Sequence, residues 1–330
     1  MNIFRYLLHP VDLKHSFSKS ISKKGKKNTL RSTCACCCCC CHLKTMNLLK
    51  SEPTDKHQRK QISIFNELLS SIDSIFKFQK HCDSLLFDAI LKQSIFDFVQ
   101  ATVLQEQIIP NINNARIKMM KHHECKNLFW ITDLFMKTWG KNHEEPHTIN
   151  ISRLKRLHYQ MMTNVKIDES DKGKFCTRAR YTTYKGKRHE YPKFSREKDV
   201  EDILQPVLEK YNRCLHEIFH EKDIKISLEK SIYLASWIFY QITTIHPFID
   251  GNGRTARILA SRCFPQLFYV PVFIWSKISM FEIEYIDALI KTRETQNLSD
   301  LDSIILKSVQ IVINNIEYRI NKCREKVKAK

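Results

Sequence analysis

His246-Pro247-Phe248-Ile249-Asp250-Gly251-Asn252-Gly253-Arg254-Thr255-Ala256-Arg257 is the run on which both the architecture and the chemistry of this chain turn. Upstream of it, Ser227 to Thr244 reads as a helix. Pro247 disfavours helix at the residue before it, so His246 is expected at a loop edge, free to meet a substrate. The glycines allow a tight turn, and a second helix is expected from Gly251 to Phe268. The predicted unit is therefore helix, loop, helix, with a base, a carboxylate and two arginines in or beside the loop.

Each residue type in the run suits phosphate chemistry. A histidine titrates near neutrality and can take a proton from a hydroxyl. Asp250 is a hard oxygen ligand of the kind that holds Mg²⁺ carrying substrate phosphates. Gly251, Asn252 and Gly253 let successive backbone N–H groups point one way at a helix start, which makes an anion cradle. Arg254 and Arg257 share a helix face and offer two guanidinium forks to a polyphosphate. Thr255 and Ala256 between them are small, so neither fork is crowded. Ile258 and Leu259 are expected to face the core, and Phe248 to anchor the loop in it.

Outward from this run the chain reads as all-α. It has only 6 Gly and 9 Pro in 330 residues, with long stretches of helical periodicity and apolar content sufficient for a core. Ile62, Ile64, Phe65, Leu68, Leu69, Ile72 and Ile75 form one amphipathic face. Further helices are expected at 85–105, 115–139, 151–162, 195–219, 276–294 and 299–322. Ser299 with Asp302 three residues later suggests a capping pair, followed by an apolar stripe from Ile304 to Ile320. The pattern breaks at Lys172–Pro192, where two glycines, a proline and Tyr181-Thr182-Thr183-Tyr184 predict a hairpin or flap.

The net charge of +19 resides mainly in the tails. Residues 1–60 hold 13 Lys and Arg against 3 Asp and Glu, and residues 319–330 hold 6 against 1. Basic tails suit RNA or anionic lipid, but equally a solvated, disordered segment. Seven of the 13 Cys lie in Cys34–Cys41, a low-complexity tract without the spacing of a zinc site. The other six are scattered, as in a reducing compartment. No stretch reaches the ~20 apolar residues of a membrane span. His143-Glu144-Glu145-Pro146-His147 mimics a zinc-protease motif, but Pro146 opposes the helix that motif needs.

The run 246–257 resembles the signature of the Fic (Fido) family, His-Pro-Phe-x-Asp/Glu-Gly-Asn-Gly-Arg-x-x-Arg, at every fixed position. Leu154–His158 and Gly173–Phe175 resemble the segment before that family's flap, His189–Pro192 its exit, and Ala235–Ile245 the helix entering the motif. The resemblance spans about residues 85–320. It implies a mostly helical bundle with a small β-hairpin flap, and transfer of AMP from ATP to a Ser, Thr or Tyr hydroxyl of a target protein. By the same resemblance His246 is the base, Asp250 the Mg²⁺ ligand, Gly251–Gly253 the phosphate cradle, and Arg254 and Arg257 the outer-phosphate ligands. Thr183, Tyr184, Lys185 and Gly186 fall in the flap, which would pair with the target backbone. Tyr285 matches an aromatic beside adenine. Thr102-Val103-Leu104-Gln105-Glu106-Gln107 resembles the family's inhibitory helix, Ser/Thr-x-x-x-Glu-Gly/Asn, with Gln107 departing from it. The implied brake is a Glu106–Arg257 ion pair.

The expected organisation is a disordered basic and Cys-rich tail at 1–60, an N-terminal helical region with the inhibitory helix at 61–140, and the catalytic core with C-terminal helices at 141–330. ATP and Mg²⁺ are the expected small partners, and a target protein the macromolecular one. A homodimer and tail contact with membrane are further options, and no specific nucleic acid is expected. The cytoplasm is the expected compartment, with the endoplasmic reticulum as the alternative. A de-AMPylating phosphodiesterase of the same fold and a non-enzymatic nucleotide-binding scaffold are the competing functions.

Overall fold

The computed structural model describes residues 56–81, 84–105, 122–140, 147–264 and 279–328. The Cys tract, most of the basic tail, Glu106 and residues 143–146 lie outside them. Among the described residues there are nine α-helices and one two-stranded sheet, so the all-α expectation with a hairpin holds. They run α1 (Lys56–His81), α2 (Ser84–Gln105), α3 (His123–Gly140), α4 (Ile151–Met161), β1 (Tyr181–Tyr184), β2 (Lys187–Glu190), α5 (Glu197–Phe219), α6 (Ile224–Ile245), α7 (Asn252–Ser261), α8 (Ser279–Thr295) and α9 (Ser299–Lys328).

Helix α6 is the hub. Asp223 caps its start by accepting from the Lys225 and Ile226 N–H groups, at 2.8 and 3.2 Å. Ile232, Ala235, Ile238, Phe239 and Ile242 are all sealed from solvent, and α5, α7, α8 and α9 pack around this one rod. The helix expected at 227–244 is present, and its polar residues Ser227, Glu229, Ser231 and Ser236 are buried along with the apolar ones. By contrast α5 buries one stripe only, Val200, Leu204, Val207, Leu208, Tyr211, Cys214, Leu215 and Ile218. On the far side α1 and α2 pack against α9, whose stripe Ile304, Ile305, Val309, Val312, Ile313, Ile316 and Ile320 is buried as expected.

The start of α9 departs from the expected capping pair. The Asn297 side chain accepts from the Ser299 N–H at 2.9 Å. Asp302 turns inward, where it is almost fully buried and meets the Ser236 hydroxyl on α6. Being one turn into the helix on its buried face, it faces Ser236 across the interface instead of capping.

The hairpin pairs Tyr181 with Glu190 and Tyr184 with Lys187. Its two-residue loop places Lys185 at φ 47° and Gly186 at φ 74°. Two left-handed residues in succession make the turn whose twist matches that of the strands. No helix among the described residues is long and apolar enough to cross a membrane.

Candidate active site

The loop between α6 and α7 carries the run 246–257, and most of its side chains hold the loop in shape. Phe248 is fully buried and stacks on His158 of α4, ring centroids 3.8 Å apart and nearly parallel. Asn252 clips the loop to itself: its Oδ1 accepts from the Phe248 N–H at 2.9 Å and its amide donates to the Phe248 carbonyl at 2.8 Å. The Asn252 side chain is thereby spent on the loop, and only its backbone can serve an anion. Thr255 donates its hydroxyl to the Gly251 carbonyl, and Ala256, Ile258 and Leu259 are buried in the core. The side chains of Thr255 and Ala256 thus face the protein interior, not the mouth of the loop.

Gly251 is the turn on which α7 begins. Its φ of 73° is left-handed, and an added Cβ would stand 3.1 Å from Met162 Sδ and 3.2 Å from Met161 Cε. As the N-cap it supplies no side chain, so the first-turn amides of α7 lack the usual capping acceptor. Uncapped amides at a helix start are a ready site for a phosphate or carboxylate.

His246 closes α6 with φ 52° and ψ 57°, a left-handed conformation that costs a residue with a Cβ roughly 1–2 kcal/mol. Arg180 holds it there. One guanidinium nitrogen donates to the His246 carbonyl and, at 3.3 Å, to the Phe248 carbonyl, while the other reaches Pro192 O at 2.8 Å. The His246 ring is half-buried against Tyr191, face to face at 3.6 Å and 12°. The expectation of a free loop-edge imidazole is corrected by this cover. Burial first, and then the Arg180 charge, lower its pKa to about 4, with Arg293 adding to the effect. The Thr243 carbonyl and Asp250 pull the other way, and Nδ1 has no partner of good geometry among the described residues. His246 is therefore a neutral imidazole at physiological pH.

Asp250 is the exposed member, its side chain 49% accessible. One carboxylate oxygen accepts from the Gly251 N–H at 2.5 Å and the other meets Arg254 at 3.0 Å. Arg254, only 3% exposed, also bonds Glu124 of α3 at 3.1 Å. Its fork is thus shared between two carboxylates. Arg257 lies one turn on and is likewise buried. Among the described residues no group of three or more His, Cys, Asp or Glu could form a resident metal site. A lone, half-exposed carboxylate instead fits a metal that arrives with nucleotide phosphates.

The flap tip stands beside α8. Lys185 pairs with Asp287 at 2.8 Å, two residues from Tyr285, whose ring packs edge-on against Phe239. Thr183 and Tyr184 lie on β1 next to the turn at Lys185 and Gly186. Thr102 on α2 is buried, its hydroxyl without a partner among the described residues.

Four residues outside the expected set shape this site: His158, Arg180, Tyr191 and Glu124. Gly173 donates its N–H to His158 Nδ1 at 3.0 Å, so Nε2 carries the proton and donates to the Asp250 carbonyl at 3.0 Å. Burial keeps this imidazole neutral, its pKa lowered to about 4. A histidine inside the apolar stripe Leu154, Leu157, Met161 was the available sequence signal for it. The other three act from distant parts of the chain and leave no local pattern.

The Fic/DOC family model matches residues 148–263, which span α4, the hairpin and the whole 246–257 loop. A Fido domain-containing protein of Dictyostelium discoideum is 33% identical over 125 residues, 35% of this chain and 76% of that protein. The chain belongs to the Fic/DOC family. A protein of Ostreid herpesvirus 1 named as the small chain of ribonucleoside-diphosphate reductase is 28% identical over 114 residues, 34% of this chain but only 19% of that protein. A protein adenylyltransferase Fic of Drosophila persimilis is 48% identical over 40 residues, 12% of this chain and 8% of the fly protein. The chain therefore spans a small part of the viral and fly relatives. A Fic domain-containing signalling protein of Bacteroides thetaiotaomicron superposes with a TM-score of 0.60 at 16% identity, covering 79% of this chain and 97% of that one, so the Fic fold is shared.

Proposed function

We propose that this chain transfers AMP from ATP to a hydroxyl of a target protein. The observation that carries the reading is a neutral His246 imidazole on the same short loop as the uncapped N-terminus of α7. A neutral imidazole can accept a proton, and bare amides can hold an anion. In the proposed step the hydroxyl oxygen bonds to the α-phosphorus of ATP. The bond from that phosphorus to the bridging oxygen breaks, pyrophosphate leaves, and the hydroxyl proton passes to His246. Gly251, Gly253 and the Asn252 backbone line the anion cradle. Arg257 serves the outer phosphates, with Arg254 acting in part through the carboxylate it holds. Asp250 is the residue that would hold Mg²⁺, which when bound neutralises phosphate charge. Tyr285 and the flap residues Thr183 to Gly186 would border the adenine and the target segment.

Regulation by Glu106 is part of the proposal and rests on the Thr102–Gln107 pattern, since Glu106 lies outside the described residues. A carboxylate seated on Arg257 would remove a phosphate ligand. The test of the activity is incubation of wild type and His246→Ala with α-labelled ATP in a cell lysate. Label on protein that His246→Ala abolishes supports transfer. Release of AMP from modified protein with no labelling would replace transfer with the reverse hydrolysis. Neither activity would reduce the site to a nucleotide-binding scaffold.

A further inference from the structure

The stacking of Tyr191 on His246 has no place in the family signature, because Tyr191 lies outside the run that carries it. Tyr191 follows β2 directly and its ring is half-buried. Three contacts tie it to the base. The rings stack at 3.6 Å with 12° between planes. The Tyr191 N–H donates to the Arg180 carbonyl at 3.0 Å, and the guanidinium of the same arginine grips the carbonyls of His246, Phe248 and Pro192. Arg293 of α8 places its guanidinium carbon 5.7 Å from the Tyr191 ring centroid. The same fork reaches Thr243 O at 3.2 Å and Thr244 Oγ1 at 3.3 Å, in the last turn before His246.

We propose that Tyr191 is a positioning residue which fixes the plane of the His246 imidazole and links it to the exit strand of the flap. The proposal deepens the AMP-transfer reading and rests on it for its kinetic consequence. An imidazole in a left-handed C-terminal residue can rotate about its side-chain bonds, and only the orientation that aims a lone pair at the incoming hydroxyl is productive. A stacked aromatic covers one ring face and removes that freedom. The face contact needs the ring of Tyr191, not its hydroxyl. Tyr191 also excludes water from the imidazole, so its loss exposes His246. The charged and titratable groups around that ring are Tyr191 itself, Arg180 from the segment before β1, Arg293 from α8, and Asp250 of the loop.

The test compares wild type, Tyr191→Phe, Tyr191→Leu and Tyr191→Ala. The His246 ring resonances are followed by proton–carbon correlation in histidine-labelled protein, assigned by their absence in His246→Gln. Wild type and Tyr191→Phe are expected to show no His246 inflection between about pH 5 and 8, and ring protons shielded by the aromatic face. Tyr191→Leu and Tyr191→Ala are expected to lose the shielding and to titrate with a midpoint at least about one unit higher, towards ~6.5. Auto-labelling by ATP should fall at least tenfold in Tyr191→Leu, with KM for ATP changed less than about twofold, and Tyr191→Phe should restore it. Unaltered ring shifts and labelling in folded Tyr191→Leu would overturn the proposal, as would a Tyr191→Phe variant that behaves like Tyr191→Leu. If wild type labels nothing, the transfer reading falls, while the resonances still decide whether Tyr191 sets the imidazole.

Discussion

Lowering the pH from about 6.5 to about 5 is a perturbation whose effect on stability follows from three buried groups. His158 and His246 both have folded-state pKa values of about 4, burial being the main cause for each. Unfolded, each imidazole titrates near ~6.5, so between these values the unfolded chain holds a proton that the folded chain refuses. Each histidine therefore makes stability fall as the pH falls, by about 1.4 kcal/mol per unit inside the window. Asp302 acts in the opposite direction. Burial raises its carboxyl to about 7, only partly offset by Ser236, so the folded chain keeps a proton that an unfolded aspartate has released. Its contribution grows as the pH falls. Two protons against one leave a net loss that approaches about 1.4 kcal/mol per unit only near the acid end, because the unfolded imidazoles are half protonated at about pH 6.5, and that sums to roughly 1–1.5 kcal/mol across the window. The ion-paired carboxylates Glu169, Asp199 and Glu221 are shifted downward and titrate below it. Urea-denaturation midpoints measured along this pH series give the slope directly. Asp302→Asn should about double the slope, and His158→Gln should flatten it. A wild-type slope of zero, or a slope that neither substitution alters, would refute the reasoning.

Gly251→Ala combines a left-handed φ of 73° with a Cβ 3.1 Å from Met162 Sδ, so it should lower the melting temperature and abolish ATP labelling. Gly186→Ala has a φ of 74° but open space around it, and should cost only the conformational part, about 1–2 kcal/mol, in the same melts. Glu124→Gln removes one of the two carboxylates on a guanidinium that is 3% exposed and should destabilise by about 1–3 kcal/mol in denaturant titrations. Glu106→Gly should raise auto-labelling several-fold with ATP binding intact, and unchanged labelling would dismiss the brake.

What was legible in the sequence was what local rules govern. The helix before His246, the turn at Gly251 and the amphipathic stripes of α1 and α9 all follow from short-range periodicity and the special conformations of Gly and Pro. The flap was legible for the same reason, as a β-prone run beside a glycine. The partners of the site's charged groups were not. Arg254 meets Glu124 from α3, Asp302 meets Ser236 from another helix, and Arg180 spends its fork on carbonyls from two segments. Such pairs depend on how helices are juxtaposed, and a single charged residue carries no mark of which distant group it will face. Arg254 shows the consequence. From spacing alone it is a phosphate ligand, yet in the fold its charge is largely committed to two carboxylates before any nucleotide arrives.

That commitment changes how the loop is understood. Beside the loop's own Phe248, Asn252 and Thr255, one contiguous segment keeps it in shape: His158 binds the Asp250 carbonyl, Gly173 fixes the tautomer of His158, and Arg180 holds the His246 and Phe248 carbonyls. Tyr191 then covers the imidazole. The hairpin lies inside this same segment, between Arg180 and Tyr191. A shift of the hairpin relative to α7 would therefore have to move Arg180 or Tyr191, and with them the backbone or the ring of His246. Three carbonyl contacts on one buried guanidinium resist such a shift, because each would leave a polar atom unpaired at a cost of about 1–3 kcal/mol. If the hairpin is where a target segment docks, docking and orientation of the base are thus mechanically the same event. A target that distorts the hairpin would also misalign His246, a route to selectivity that requires no contact between the target and the base beyond the reacting hydroxyl.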